Sequence, residues 1–219
     1  MSDTVYVQLL DAACGAFLLT GVLMLWRRDL AAIVRLFALQ GAALALLIAV
    51  LGVHEKDAEV VVLAAGIGVL RVLVLPWLLR RAMVGGGPGR ETQPLVNVAA
   101  SLTVAALLGL LAYAVTRPIV RLDPTPATHA VPIALTVVLI GLFVLVTRRR
   151  ALSQIVGFLL MDNGITAVAF LTTSGVPLIV ELGVSLDVLL AVLVLQVLTA
   201  RMRDAFGDTD LDDLRELRD

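Results

Sequence analysis

Asp162 and Asn163 lie inside LLMDNGITAVAF, Leu159 to Phe170, a stretch that otherwise reads as one apolar helix. Arg71 interrupts VVVLAAGIGVLRVLVLPWLL in the same way, and Glu181 and Asp187 do so in VELGVSLDVLLAV. A charge at mid-bilayer costs about 2.5 to 3.5 kcal/mol on insertion scales, so groups kept there have a task. Desolvation raises a carboxylate's pKa and a nearby cation lowers it, so its proton affinity swings with hydration or with the position of Arg71. That is the chemistry of a proton stepping-stone, with Asp162 and Asp187 on adjacent helices of one bundle and waters between them. Arginine stays protonated in proteins, so Arg71 tunes a carboxylate without relaying protons itself. Asn163, Thr166 and Ser185 are the residues to hydrogen-bond the linking waters.

Helical spacing says which way these groups point. Asp162 shares a face with Thr166 and Thr173; Arg71 lies beside Gly68 and Ala64, and Asp187 beside Gly183 and Ala191. Small neighbours let a second helix approach, so the charges should face protein or a wet cavity and not lipid. Glu181 falls about 120° around the helix from Asp187, near the outer end. The plainer reading is that Arg71 pairs with one carboxylate merely to lock the bundle. Asp11 and Arg35 can snorkel to the surface.

The elements that must hold these groups are membrane spans. The chain has 219 residues, 60% of them hydrophobic and 16% charged, and a mean hydropathy of +1.00. Its charges cluster between apolar runs of bilayer-spanning length, which must be helical because lipid leaves open backbone groups unsatisfied. The fold class is all-α, a polytopic membrane bundle. Seven helices are expected: Val5 to Trp26, Leu30 to Gly52, Val60 to Leu79, Leu95 to Val115, Val131 to Thr147, Leu152 to Leu171, and Val176 to Thr199. Under this reading Arg27, Arg28, Arg80, Arg81, Arg90, Arg148, Arg149, Arg150, Arg201 and Arg203 share one side, against Lys56, Arg117 and Arg121 on the other. The positive-inside rule then puts the amino terminus outside and the carboxyl terminus in the cytoplasm. Residues 1–203 form the transmembrane domain and 204–219 a short acidic tail, read as a solvated helix that docks through Leu211, Leu214 and Leu217. GGGPG, Gly85 to Gly89, is a hinge.

RRDLAAIVRLFALQG (Arg27 to Gly41) and RRALSQIVGFLLMDN (Arg149 to Asn163) repeat two arginines, a leucine and Ile-Val in register, with Gln40 opposite Asp162. The first three and last three spans would then be parallel copies, with the fourth helix bringing the chain back across.

Other chemistries lack their residues. Cys14 is the sole cysteine, so no disulfide or iron–sulfur cluster is expected, and His54 and His129 have no partners at metal spacing. Asp208, Asp210 and Asp212 have the spacing of a calcium loop, but Asp213 stands where its turn glycine belongs. A net charge of −1 offers nothing to nucleic acid. No nucleophile with a base, nucleotide loop or cofactor site is present. Any catalysis would fall to partner subunits.

LLMDNG followed by VELGVSLDVLLAV resembles the hydrogenase-4 component E (HyfE) family. That family is itself related to subunit K of NADH-quinone oxidoreductase (NuoK-like) and to a small subunit of multisubunit cation/proton antiporters. Gln40 matches a family glutamine, and Arg71 with Pro76 matches a Lys-x4-Pro pattern. The resemblance covers nearly the whole chain. It implies a non-catalytic membrane-arm subunit of a hydrogenase or formate hydrogenlyase type complex, an oxidoreductase assembly with antiporter-like and quinone-oxidoreductase-like neighbours. In such a complex, buried carboxylates form part of a lateral proton path. By position Asp162 stands where component E has Glu, Glu181 and Asp187 match directly, and Arg71 replaces a lysine. Relative to subunit K the carboxylate at Asp162 is shifted by about one turn. An antiporter subunit, a structural scaffold whose charges only pair, and a stand-alone transporter are the alternatives.

Overall fold

The computed structural model describes residues 1–84, 96–148 and 151–172. Six helices among them are long and apolar enough to cross a membrane, and no described residue is in a strand. They are α1 (Asp3–Trp26), α2 (Leu30–Glu55), a third span, α5 (Val98–Leu122), α6 (Pro126–Thr147) and α7 (Ala151–Thr172). The third span joins α3 (Ala58–Gly68), a π-helical stretch (Val69–Val74) and α4 (Leu75–Val84). The chain is thus a polytopic helix bundle. The expected seventh span, Val176 to Thr199, lies outside the described residues, with Glu181, Ser185, Asp187, the acidic tail and GGGPG.

Polar residues between the apolar runs set the helix ends. Asp29 accepts the Ala31 amide, Asp57 those of Glu59 and Val60, and Asn97 that of Ala100. Each satisfies donors that a helix start leaves orphaned. Lys56 closes α2 at φ 59°, in the left-handed region, and the Asp57 amide reaches back to the Gly52 carbonyl at 2.9 Å. That is a Schellman ending. Because Asp57 also caps α3, two spans reverse within a few residues.

Two boundaries differ from expectation. The fourth span runs on to Leu122, past Val115. Arg117 and Arg121 resemble loop residues, but on the last turns their stems can lie along the helix while the heads reach the interface; Arg117 lies over the Tyr113 ring at 5.6 Å. The fifth span begins at Pro126 instead of Val131, because Thr125 and Thr128 form a capping box around a proline that needs no amide partner there.

α1 packs on α2 and α6, α2 on α7 and the third span, α5 on α6, and α6 on α7. The starts of α1 and α6 line a common cleft, while Arg148 at the end of α6 reaches the end of α1, so these two helices run parallel. Arg148 is buried. Its Nη2 lies 3.5 Å from the Met24 carbonyl and 3.4 Å from those of Leu25 and Arg27. A cation there meets carbonyls with no helical partner, at the negative end of the α1 dipole.

The α6–α7 contact depends on glycine. A Cβ at Gly157 would stand 2.7 Å from the Leu145 amide nitrogen, and one at Gly164 2.6 Å from that of Val138, so backbone meets backbone with no flexible side chain to yield. Helices in lipid associate largely through such close approach. Gly164→Val should therefore lower the thermal unfolding midpoint of the detergent-solubilised chain, by the equivalent of about 1 to 3 kcal/mol for overpacking. An unchanged midpoint would mean that the helices do not touch there.

Candidate functional site

Five of the residues singled out from the sequence meet at one point. Arg71 is 1% exposed, and its guanidinium enters the space between α2 and α7. Its Nη1 lies 2.8 Å from Asp162 Oδ2 and donates to Asn163 Oδ1, while Nη2 donates to Thr166 Oγ1 at 2.9 Å. Asn163 Nδ2 in turn donates to Gln40 Oε1 at 2.9 Å. The chain of contacts runs from α2 through α7 to the third span. Asp162, Asn163, Thr166 and Gln40 are all buried.

Depth follows from position. Asp162 is midway between Leu152 and Thr172, the ends of its span, about 15 Å from each at 1.5 Å per residue. Gln40 and Arg71 likewise sit within the central parts of theirs. The centre therefore lies in the hydrocarbon layer, where water is scarce and a lone charge is least tolerable.

Two backbone features let Arg71 reach it. The arginine is part of the π-helical stretch Val69–Val74, where the Leu75 amide bonds back to the Leu70 carbonyl. Such wide turns are frequent at functional sites. On the facing helix is Gly41, where a Cβ would stand 2.8 Å from Arg71 Cβ and 3.1 Å from its carbonyl carbon and oxygen. Only glycine lets α2 come this near. Neither feature was anticipated: a glycine beside Gln40 in an apolar run is the signal that marks the approach, whereas nothing in the sequence marks the π-helical turn.

The hydrogen bonding of the centre is incomplete among the described residues. Among the described residues, Gln40 Nε2, Arg71 Nε and Asp162 Oδ2 find no hydrogen-bond partner. Asp162 Oδ2 is nevertheless 2.8 Å from Arg71 Nη1, so that contact is an ion pair off the hydrogen-bonding angle. Buried polar atoms of this kind are where ordered water is held.

Asp11 and Arg35 are exposed on their helices, away from this centre.

Fold and centre together define a polytopic helical membrane protein organised around a buried arginine–carboxylate pair. Across its full length the chain is 54% identical, over 220 residues, to the Uncharacterized protein Rv0085 of Mycobacterium tuberculosis (strain ATCC 25618 / H37Rv), all of which it covers. It belongs to the family of that mycobacterial protein. It is also 26% identical over 211 residues to the Hydrogenase-4 component E of Escherichia coli (strain K12) and to that of Shigella flexneri, spanning 96% of this chain and 98% of theirs. That is a distant homology over nearly the full length. No family model matches the chain, and no solved structure does.

Removing one partner of a buried pair leaves the other charge uncompensated, at a cost of about 3 to 5 kcal/mol. Arg71→Met should therefore destabilise the solubilised chain markedly, and adding Asp162→Asn should recover much of the loss. Thermal unfolding of the two variants checks this; equal destabilisation by the single and the double change would show that the pair is not coupled.

Proposed function

We propose that this chain is a non-catalytic integral subunit of a hydrogenase-4-like respiratory membrane complex, and that Asp162 is a proton-binding step on a path across or along that complex. The observation that carries the reading is the mid-membrane contact chain Gln40–Asn163–Arg71–Asp162. It combines a titratable carboxylate, a permanent cation and polar atoms that find no partner among the described residues. The distant relation to hydrogenase-4 component E supports the assignment to such a complex.

The Arg71 guanidinium lies against the buried Asp162 carboxylate, and in this proposal a shift of the guanidinium or of a linking water lets the carboxylate release or take up a proton. Thr166 and Asn163 hold the guanidinium, and Gln40 holds Asn163. In this proposal Asp187 and Glu181 continue the path, and Ser185 hydrogen-bonds its waters. Neighbouring membrane-arm subunits complete it, and the electron chemistry belongs to them. We place the amino terminus outside and the carboxyl terminus in the cytoplasm of the inner membrane, following the arginine bias, and include the relation to subunit K of NADH-quinone oxidoreductase in the same reading.

A second reading, a scaffold whose charges only pair, draws on the three separate contacts that already engage Arg71. The two part on one variant. Asp162→Asn keeps shape and hydrogen bonding but cannot ionise. In the assembled complex in sealed vesicles, proton translocation should fall sharply while subunit stoichiometry is unchanged. Assembly failure with intact translocation in the surviving complex would favour the scaffold.

A further inference from the structure

Where α1 begins, the bundle opens into a cleft of about 230 Å³, walled by the start of α1, the end of α2, the turn between α5 and α6 and the end of α7. Its lining is unusual for this chain. Glu55 and Asp123 are exposed carboxylates, and the His54 ring stacks on Tyr6 with centroids 3.8 Å apart and planes 10° from parallel. The space can hold a cluster of waters with polar partners. Its floor is apolar: Leu51, Phe170 and Leu171 are each buried.

Phe170 links this cleft to the buried centre. Asp162, Thr166 and Phe170 recur every fourth residue along α7, so they form one stripe, and all three are buried. Along the axis Phe170 is about 6 Å from Thr166 and about 12 Å from Asp162. Thr166 is bonded to Arg71. On this stripe Phe170 lies between Thr166 and the end of α7, and it lines the cleft.

We propose that the cleft is the solvent port of the Arg71–Asp162 centre, with Phe170 as the gate between them. This rests on the proton-binding role given to Asp162 above. In the open state a water file past Phe170 delivers a proton from hydronium to the Asp162 carboxylate and returns a neutral water. Glu55, Asp123 and His54 hold the water cluster and its cations at the mouth.

Thiol accessibility tests the port without relying on proton transfer. In a Cys14→Ala background, assembled in its complex in sealed vesicles, single cysteines are placed at Phe170, Leu51 and Thr166. They are treated with a membrane-impermeant quaternary ammonium methanethiosulfonate from each face in turn. Phe170→Cys and Leu51→Cys should label only from the face on which α1 begins; Thr166→Cys should stay unlabelled until Phe170→Ala is added. No labelling at Phe170 and Leu51 from that face, labelling from the opposite face, or labelling of Thr166→Cys with Phe170 intact would overturn the proposal. If one floor variant does not assemble, the other carries the test. Because labelling does not need an ionisable Asp162, loss of the port with translocation still sensitive to Asp162→Asn sinks this inference alone. Insensitivity to Asp162→Asn with the port labelled sinks the proton-binding role alone.

Discussion

A guanidinium that cannot shed its proton stands near the middle of a membrane, and the rest of the bundle answers to that fact. Lipid offers Arg71 nothing, so the protein must supply a counter-charge and acceptors in a fixed arrangement. Asp162, Asn163 and Thr166 supply them from consecutive turns of α7, and Gln40 on α2 holds Asn163 from behind. Three spans are thereby drawn to one point. The close backbone approaches follow: at Gly41 α2 nears the third span, and at Gly141, Gly157 and Gly164 α6 nears α7.

The described helices pack in matched directions. α1 and α6 run parallel, α2 and α7 follow them, and both α1–α6 and α2–α7 are packed pairs. The Gln40–Asn163 bond joins α2 to α7 near mid-membrane. A polar contact there costs little sequence to maintain and pins both pairs in register. Arg148 performs a related service at one end, tying α6 to the last carbonyls of α1.

Much of the centre was legible because lipid makes polar residues conspicuous. Asp162, Asn163, Arg71, Thr166 and Gln40 each stand out from an apolar run, and helical spacing put Asp162 and Thr166 on one face. Which carboxylate Arg71 meets was not legible. Arg71 and Asn163 are 92 residues apart in the chain, and no local rule ranks Asp162 above Asp187 as a partner. Helix ends were misread where charge or proline imitates a loop, as at Arg117 and Pro126. The burial of Arg148 was not legible either: an arginine beside two others looks the same whether water or a helix terminus receives it.

Whether such a pair can carry protons turns on how Arg71 divides its donors. If Asp162 were its sole partner, protonating the carboxylate would strand the guanidinium in a dry interior, and the site would be a lock. Arg71 instead divides Nη1 between Asp162 and Asn163 and commits Nη2 to Thr166. When Asp162 is neutral the guanidinium keeps two neutral acceptors, and the protonated carboxyl gains an O–H that an adjacent water or amide oxygen can accept. The neutral neighbours therefore matter as much as the charges, because they keep the guanidinium hydrogen-bonded independently of the carboxylate.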